Sequence, residues 1–150
     1  MNIRVKVNEG GMIPQYQTKG SAGFDLHSAE NITILPGQVV AVSTGISYEV
    51  PEGYEMQVRS RSGLALKNNV FILNGIGTID SDYRGVVKAI LCNASNVNFS
   101  VRTGDRIAQG VINKYETGVF ESVKELSVTE RGEGGFGSTQ GTWVNNETKQ

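Results

Sequence analysis

Apolar and polar side chains alternate along several short stretches of the chain. In residues 32–34, 54–58 and 97–101 an apolar residue occupies every second position, which is the period of a strand with one buried face. Segments rich in Gly, Pro, Asn and Asp separate these stretches, as is typical of turns. No segment carries a sustained helical pattern, although residues 62–67 are compatible with a single helical turn. The pattern therefore predicts an all-β fold built from many short strands.

The spacing of these strands indicates how they assemble. Short strands at regular intervals, in a chain with 19 glycines, favour a β-sandwich or barrel. Residues 70–75 form an apolar run that ends in Asn74-Gly75, a dipeptide typical of the turn in a β-hairpin. The sequence therefore predicts a hairpin at this position, or at the least a turn.

The composition is that of one globular domain. The chain has 150 residues, of which 38% are hydrophobic and 19% charged, as is ordinary for a soluble protein. No apolar run approaches the roughly 18 residues that a membrane-spanning helix needs, and residues 1–6 lack the apolar core of a secretory signal. These features predict a cytoplasmic protein with no membrane partner, or one of the host-cell cytoplasm or nucleus if the source is viral.

The charge balance limits the partners and the chemistry. A formal net charge of −1 provides none of the electrostatic attraction on which non-specific binding of DNA or RNA depends, so we expect no nucleic-acid partner. One histidine and one cysteine are too few for a zinc site of the usual kind. Cys92 lies in an apolar run, which predicts a buried thiol, and we expect His27 at the surface.

The chain changes character near residue 129. Five glycines stand between positions 132 and 141, so this segment has few side chains to bury and the entropy lost on ordering it is poorly offset until something binds. We therefore expect a domain at residues 1–128, a flexible C-terminal arm at residues 129–141 and a disordered extension at residues 142–150.

Five segments rich in glycine and charged residues occur in a fixed order. They are residues 22–26 (AGFDL), 61–65 (RSGLA), 75–85 (GIGTIDSDYRG), 104–109 (GDRIAQ) and 131–139 (RGEGGFGST). In this order they resemble the five motifs of the homotrimeric dUTPase family, and the ordered set is specific where any one motif alone is weak evidence. Two positions depart from the family pattern: Ser60, where many members have proline, and Gln140, where glycine is common.

The resemblance implies a fold, an assembly and an activity. The fold is a distorted jelly-roll β-barrel with a flexible glycine-rich C-terminal arm. Three identical chains form active sites at subunit interfaces, where the arm completes the site of a neighbouring subunit. Water attacks the α-phosphate of dUTP with Mg²⁺ as cofactor and gives dUMP and pyrophosphate, which limits uracil in DNA and supplies dUMP for thymidylate synthesis. Two alternatives stay open, a dUTP-binding regulatory protein without turnover and a relative of the dCTP deaminases.

The third motif carries the residues expected to act on the nucleotide. A lone aspartate between strands is usually a turn former whose side chain bonds the local backbone, but by resemblance Asp80 orients and activates the attacking water. Tyr83 alone would suggest only a half-buried aromatic, whereas the resemblance implies a ring that packs under the deoxyribose and excludes a 2′-hydroxyl. Asn74 is implied to bind the uracil edge. Further substrate contacts that the resemblance implies are Thr78 and Ile79 of this motif and Lys88, which lies just beyond it.

The second and fourth motifs are expected to hold phosphate groups. Arg61, Ser62 and Gly63 offer a cation, a hydroxyl and exposed backbone N–H groups in three consecutive residues, although a solvated strand edge is the ordinary reading of such a run. The resemblance implies that Arg61 meets the phosphates, that Ser62 meets the bridging oxygen near the scissile bond and that Gln109 contacts a phosphate.

The first and fifth motifs supply the remaining contacts. Asp25 is implied to pair with Arg106 and to approach Mg²⁺ through water, because Mg²⁺ that arrives with a triphosphate keeps several waters and needs no full protein cage. In the arm, the implied contacts are Arg131 on the terminal phosphate, Phe136 on the pyrimidine face, and Gly137 and Ser138 through N–H and hydroxyl groups.

Overall fold

The computed structural model describes residues 1–136, and most of their regular structure is β. The strands are β1 (Arg4–Val7), β2 (Gly23–His27), β3 (Ile32–Ile34), β4 (Val39–Ser43), β5 (Ile46–Glu49), β6 (Tyr54–Arg59), β7 (Val70–Ile72), β8 (Ile76–Ile79), β9 (Lys88–Asn93), β10 (Phe99–Val101) and β11 (Arg106–Lys114). One short helix, α1 (Ser62–Asn68), follows β6 and ends at Asn69, whose left-handed φ of 53° stops the helix. The all-β prediction is confirmed, and the expected helical turn forms one residue longer than expected.

Every strand pair among the described residues is antiparallel. A four-stranded sheet has the order β2-β11-β6-β8, a three-stranded sheet has the order β4-β9-β7, and β1 pairs with β5 as β3 does with β10. Because β11 lies between β2 and β6, it brings the first and fourth motifs into one sheet, and the second motif follows the end of β6 in the same sheet. Antiparallel sheets around a shared core agree with the distorted jelly roll that the motifs imply.

Side chains from the two larger sheets meet in one apolar core. Met56 and Val58, which alternate with polar residues in β6, are buried there together with Leu91 of β9, as the period of two predicts. Gly110 in β11 permits close packing, since a Cβ at that position would lie 2.4 Å from the Phe24 ring. Strands β2 and β11 thereby pack closely within the larger sheet.

The predicted hairpin at residues 70–75 is wrong in its pairing. The turn itself forms, with Gly75 at a left-handed φ of 71°. However, β7 pairs with β9 in one sheet, whereas β8 pairs with β6 in the other. The Asn74-Gly75 turn is therefore a crossing between sheets: β7 buries Val70 and Ile72 in the core, whereas β8 leaves Ile76 exposed and is held by its pairing with β6.

Two other predictions differ in detail. Cys92 is only half-buried, since it stands between buried positions on the alternating strand β9. His27 is half-buried rather than at the surface, and its Nδ1 atom is buried without a hydrogen-bond partner among the described residues.

The chain divides into two compact units, Met1–Thr117 and Gly118–Gln150. All strands and the helix named above belong to the first unit. The described part of the second unit contains turns without strands or helices. The division of the tail into an arm at residues 129–141 and an extension at residues 142–150 stays a prediction. None of the described helices has the length and hydropathy of a membrane span.

Candidate active site

Asp80 is the first residue of a tight turn that follows β8. The Tyr83 backbone N–H donates to the Asp80 carbonyl at 3.2 Å, and Nη1 of Arg84 donates to the carbonyls of Ser81 at 2.6 Å and Tyr83 at 2.9 Å. The Asp80 side chain is exposed and makes no hydrogen bond or ion pair within the described part of the chain. The Asp80 carboxylate therefore makes no contact that stabilises the turn. The turn is stabilised instead by the Arg84 side chain, a role that the motif did not indicate.

Five of the predicted site residues surround one cavity. This cavity of about 450 Å³ is lined by Thr78, Ile79, Asp80, Tyr83 and Lys88, together with apolar residues of β4 and β9 and the segment before β9. Residues that carry a carboxylate, an aromatic ring and an ammonium group thus line the same space, and Asp80 also lines a second cavity of about 860 Å³. A pocket of the size of the first, mostly apolar with a few polar groups, is typical of a site for a small organic ligand.

Tyr83 is placed against its own loop. Its hydroxyl donates to the Val86 carbonyl at 3.3 Å, and the side chain remains 45% exposed. The ring is therefore held from one side while its other side is available to a ligand in the cavity.

A second cluster of predicted residues is built around Asp25 in β2. Asp25 is 8% exposed, and its carboxylate oxygens face Nε of Arg61 at 3.1 Å and Nη1 of Arg106 at 3.5 Å. Nη1 of Arg61 also donates to the Arg106 carbonyl at 3.0 Å. The structure brings Asp25 and Arg106 together as expected, and it adds the closer pair with Arg61. The buried carboxylate thus fixes the position of both guanidinium groups.

Gln109 lies beside this cluster. In β11 it is opposite Asp25 on one side and Arg59 on the other. Its Nε2 donates to the Ser60 carbonyl at 2.8 Å, and a Cβ at Gly23 would lie 2.7 Å from its Oε1. Gln109 therefore fixes the backbone immediately before Arg61, in addition to the phosphate contact that the resemblance implies.

Ser62 and Gly63 open helix α1 and are both exposed. The hydroxyl of Ser60, where many family members have proline, accepts the Ile72 backbone N–H at 2.8 Å and so ties the end of β6 to β7. Asn74 is also exposed, in the turn between β7 and β8. It does not line the cavity that holds Asp80.

The two groups of residues lie apart in one chain. The ladder between β6 and β8 has four residue pairs, which span roughly 10 Å of strand rise. Asp80 follows the end of β8, and Arg61 follows the end of β6. Because the strands are antiparallel, these are opposite ends of the ladder, and Arg61 does not line the Asp80 cavity.

Within the second unit, residues of the fifth motif form a local turn. Nε of Arg131 donates to the Gly134 carbonyl at 2.8 Å, and the Gly134 N–H donates to the Arg131 carbonyl at 3.1 Å. Phe136 is fully exposed and has a left-handed φ of 49°, which is uncommon for a residue other than glycine. The predicted contacts Gly137 and Ser138 lie outside the described residues.

The donors available to a metal ion are few. Within residues 1–136, no group of three or more His, Cys, Asp and Glu side chains is arranged to hold a metal ion. Asp25, the predicted metal-linked residue, already faces two guanidinium groups. This donor set fits an ion that arrives with its own phosphate and water ligands, and it does not fit an ion held in a cage of protein side chains.

Comparison with known proteins gives consistent matches. The dUTPase family model matches residues 9–140. A deoxyuridine 5'-triphosphate nucleotidohydrolase of Helicobacter pylori (strain P12) is 51% identical over 140 residues, which cover 93% of this chain and 97% of the relative. The dUTPase of Staphylococcus bacteriophage 80alpha, solved with dUPNHPP, is 29% identical with a TM-score of 0.86 and covers 92% of this chain and 98% of its own. A mutant dUTPase from phage phi11 of S. aureus, described as coordinating a structural Mg(II) ion, is 24% identical with a TM-score of 0.79, covers 85% of this chain and 100% of its own, and supports the fold alone.

Proposed function

The chain belongs to the dUTPase family and is a dUTP diphosphatase, and we propose that Asp80 activates the water that attacks the α-phosphorus of dUTP. The oxygen of this water bonds to the α-phosphorus, and the bond from that phosphorus to the bridging oxygen breaks. Asp80 takes a proton from the water, dUMP retains the new oxygen, and pyrophosphate leaves. The observation that carries this proposal is the common cavity of Asp80, Tyr83 and Lys88. A carboxylate free of other partners can accept a proton from an aligned water.

Selection of the nucleotide is assigned to Tyr83 and Asn74. The ring of Tyr83 is held against its own loop, and we propose that its free face packs under the deoxyribose and leaves no space for a 2′-hydroxyl. Asn74 is exposed in its turn and is proposed to bind the uracil edge. A site that hydrogen-bonds one base rejects others strongly, because the wrong base leaves buried polar groups unpaired. Thr78, Ile79 and Lys88 complete this half of the site.

The phosphates are assigned to the cluster around Asp25. Arg61 is aimed by its pair with the buried Asp25 carboxylate, and preorganised cations stabilise charge that develops on phosphate oxygens. Ser62 is proposed to meet the bridging oxygen, with Gly63 and Gln109 at neighbouring phosphate oxygens. In the arm, the proposed contacts are Arg131 on the terminal phosphate, Phe136 on the pyrimidine, and Gly137 and Ser138 by N–H and hydroxyl donation.

We propose that Mg²⁺ enters as part of the substrate. A Mg²⁺ ion bound to the triphosphate neutralises phosphate charge and keeps several water ligands. Asp25 is the residue proposed to contact one of those waters, since it is the acidic side chain in the phosphate-binding cluster. The low number of clustered donors in residues 1–136 agrees with a metal carried by the nucleotide.

The proposed active form is a homotrimer with sites at its subunit interfaces. One α-phosphate needs both the Asp80 carboxylate and the Arg61 guanidinium, yet these lie beyond opposite ends of the β6–β8 ladder in one chain. A closed ring of three copies brings one end of a chain against the other end of its neighbour. This separation supports a site in which Asp80 and Arg61 come from different subunits, and the resemblance adds the arm of a third.

The diphosphatase is favoured over both alternatives by the 51% identity to a nucleotidohydrolase. Incubation with dUTP, dCTP and dTTP in water labelled with heavy oxygen tests the assignment. We expect hydrolysis of dUTP alone, with the label in dUMP. Label in pyrophosphate would move the attack to the β-phosphorus, and conversion of dCTP to dUTP without pyrophosphate would indicate a deaminase. Binding of dUTP without product would indicate the regulatory protein. A cytoplasmic location stays a prediction, which cell fractionation would test.

A further inference from the structure

The third motif contains a glycine, Gly85, at a position where a side chain would collide with Tyr83. A Cβ at this position would lie 2.3 Å from the Tyr83 hydroxyl oxygen, 2.5 Å from Cζ and 3.0 Å from Cε2 of the same ring. Gly85 does not have the left-handed φ that requires glycine at other turns of this chain. An alanine would therefore suit the backbone at this position, and the ring of Tyr83 excludes it.

The ring that covers Gly85 is the one that faces the nucleotide cavity. Tyr83 lines this cavity together with Asp80 and Lys88, whereas Gly85 does not. The Tyr83 hydroxyl is anchored on the Val86 carbonyl, beside the Gly85 backbone. Gly85 thus supports the ring from outside the cavity, while the other face of the ring is presented to the ligand.

We propose that Gly85 is a positioning residue that sets the selectivity for deoxyribose by fixing how far the Tyr83 ring projects into the nucleotide cavity. This inference rests on the proposed role of Tyr83 in sugar selection. Ordinary van der Waals contact begins near 3.4 Å, so a methyl group at residue 85 displaces the hydroxyl by about 1 Å. The displaced ring loses its hydrogen bond to Val86 and moves towards the space that the sugar occupies.

The first test is the Gly85→Ala variant, assayed with dUTP and UTP. A misplacement of about 1 Å at a substrate contact costs up to about 100-fold in rate, so we expect kcat/KM for dUTP to fall about 10- to 100-fold. The proposed role of Tyr83 implies a low kcat/KM for UTP in the wild type, which we expect to change less, so the ratio of kcat/KM for dUTP to that for UTP decreases. Gly20→Ala is the control, because nothing lies within 4 Å of a Cβ there and its φ is not left-handed.

The second test is a double-mutant cycle with Tyr83→Ala. If Gly85 acts through the ring, Gly85→Ala has no further effect on kcat/KM or on the ratio once the ring is absent. An equal loss in both backgrounds, or a wild-type ratio in Gly85→Ala, would overturn the proposal. If Gly85→Ala does not fold, the proposal requires the double variant to fold, and its failure to fold would also overturn it. If Tyr83→Ala alone leaves the dUTP-to-UTP ratio of kcat/KM unchanged, the proposed role of Tyr83 in sugar selection fails. If the ratio decreases in Tyr83→Ala but not in Gly85→Ala, only the inference about Gly85 is refuted.

Discussion

Asp80 and Arg61 follow two paired strands and lie beyond opposite ends of the ladder between them. Asp80 follows β8 and lines a cavity, while Arg61 follows β6 at the other end of the ladder and is paired with buried Asp25. The base and the phosphate-binding cation of the proposed mechanism are thus each fixed locally. Each can be tested separately before the two are tested together.

Replacing Asp80 by asparagine should remove the proton acceptor and keep the shape of the site. We expect Asp80→Asn to lower kcat by about 10²- to 10⁴-fold while dUTP still binds, as measured by steady-state kinetics and calorimetric titration. Asp82→Asn is the matched control, since this carboxylate lies in the same turn and is also exposed. Near-normal turnover in Asp80→Asn would remove the assignment of the base.

Arg84 should act on catalysis through the turn that it holds. Arg84→Ala removes two hydrogen bonds to the carbonyls of Ser81 and Tyr83, which leaves Asp80 less well aimed. We expect kcat to fall about tenfold or more, because misplacement of a reacting group is costly, with little change in the melting temperature. Arg102→Ala, an exposed arginine elsewhere in the same unit, should retain wild-type kcat. An unchanged kcat in Arg84→Ala would show that the turn keeps its shape unaided.

Part of this arrangement could be predicted from the sequence, because it depends on local pattern. The period of two in β6 and β10 gave those strands, and the order of the five motifs identified Asp80, Tyr83 and Arg61 as candidates. The pair of Asp25 with Arg106 came from resemblance and is present in the structure.

The remainder depends on long-range pairing, which local pattern does not specify. Strands β7 and β8 flank a turn typical of hairpins but belong to different sheets, because pairing with the more distant strands β9 and β6 outweighs the preference of the turn. The pair of Arg61 with Asp25 requires β11 to lie between β2 and β6, and nothing in either segment indicates that order. The contact of Tyr83 with Gly85 depends on a side-chain rotamer and is equally invisible in the sequence.

Asn93 should be important for stability without contributing to catalysis. It is completely buried, and its side-chain amide donates to the carbonyls of Ile34 at 2.9 Å and Val97 at 2.8 Å while its oxygen accepts from Ser95. Asn93→Ala leaves the carbonyl of fully buried Ile34 without this donor and removes the amide that ties it to the loop of Ser95 and Val97, which should lower the free energy of unfolding by about 1–3 kcal/mol. Denaturant titration measures this loss, and exposed Asn96→Ala is the control. A loss no greater than that of the control would mean that water replaces the amide.

The hydroxyl group of Tyr48 should be dispensable for the stability of the fold. The residue is 3% exposed, its hydroxyl has no hydrogen-bond partner within residues 1–136, and burial raises the pKa of this hydroxyl well above its usual value. Tyr48→Phe should therefore leave the free energy of unfolding unchanged or raise it.

The dependence on pH gives a second measurement for Tyr48. The unfolded chain releases the Tyr48 proton near pH 10, at about the ordinary pKa of tyrosine, while the folded chain retains it. Wild-type stability should thus fall as the pH rises above about 10, and Tyr48→Phe should lose less over that interval. Tyr16→Phe, which alters an exposed hydroxyl, should behave as the wild type does. A loss of stability in Tyr48→Phe at neutral pH would reveal a partner for the hydroxyl.

The shared site is tested most directly by mixing two inactive proteins. Asp80→Asn chains and Arg61→Gln chains are unfolded together in equal amounts and refolded so that subunits exchange, and the trimer mass is confirmed by light scattering. If Asp80 and Arg61 of one site come from different subunits, random assembly leaves both intact in about a quarter of the sites.

The control is an equal mixture of wild-type chains with chains that carry both substitutions, Asp80→Asn and Arg61→Gln. For a shared site, this mixture should keep about a quarter of the wild-type activity per site. If both residues come from one chain, it should keep about half. Recovery of about a quarter of the wild-type activity from the two single variants is the result predicted, and no recovery in confirmed trimers would contradict the shared site.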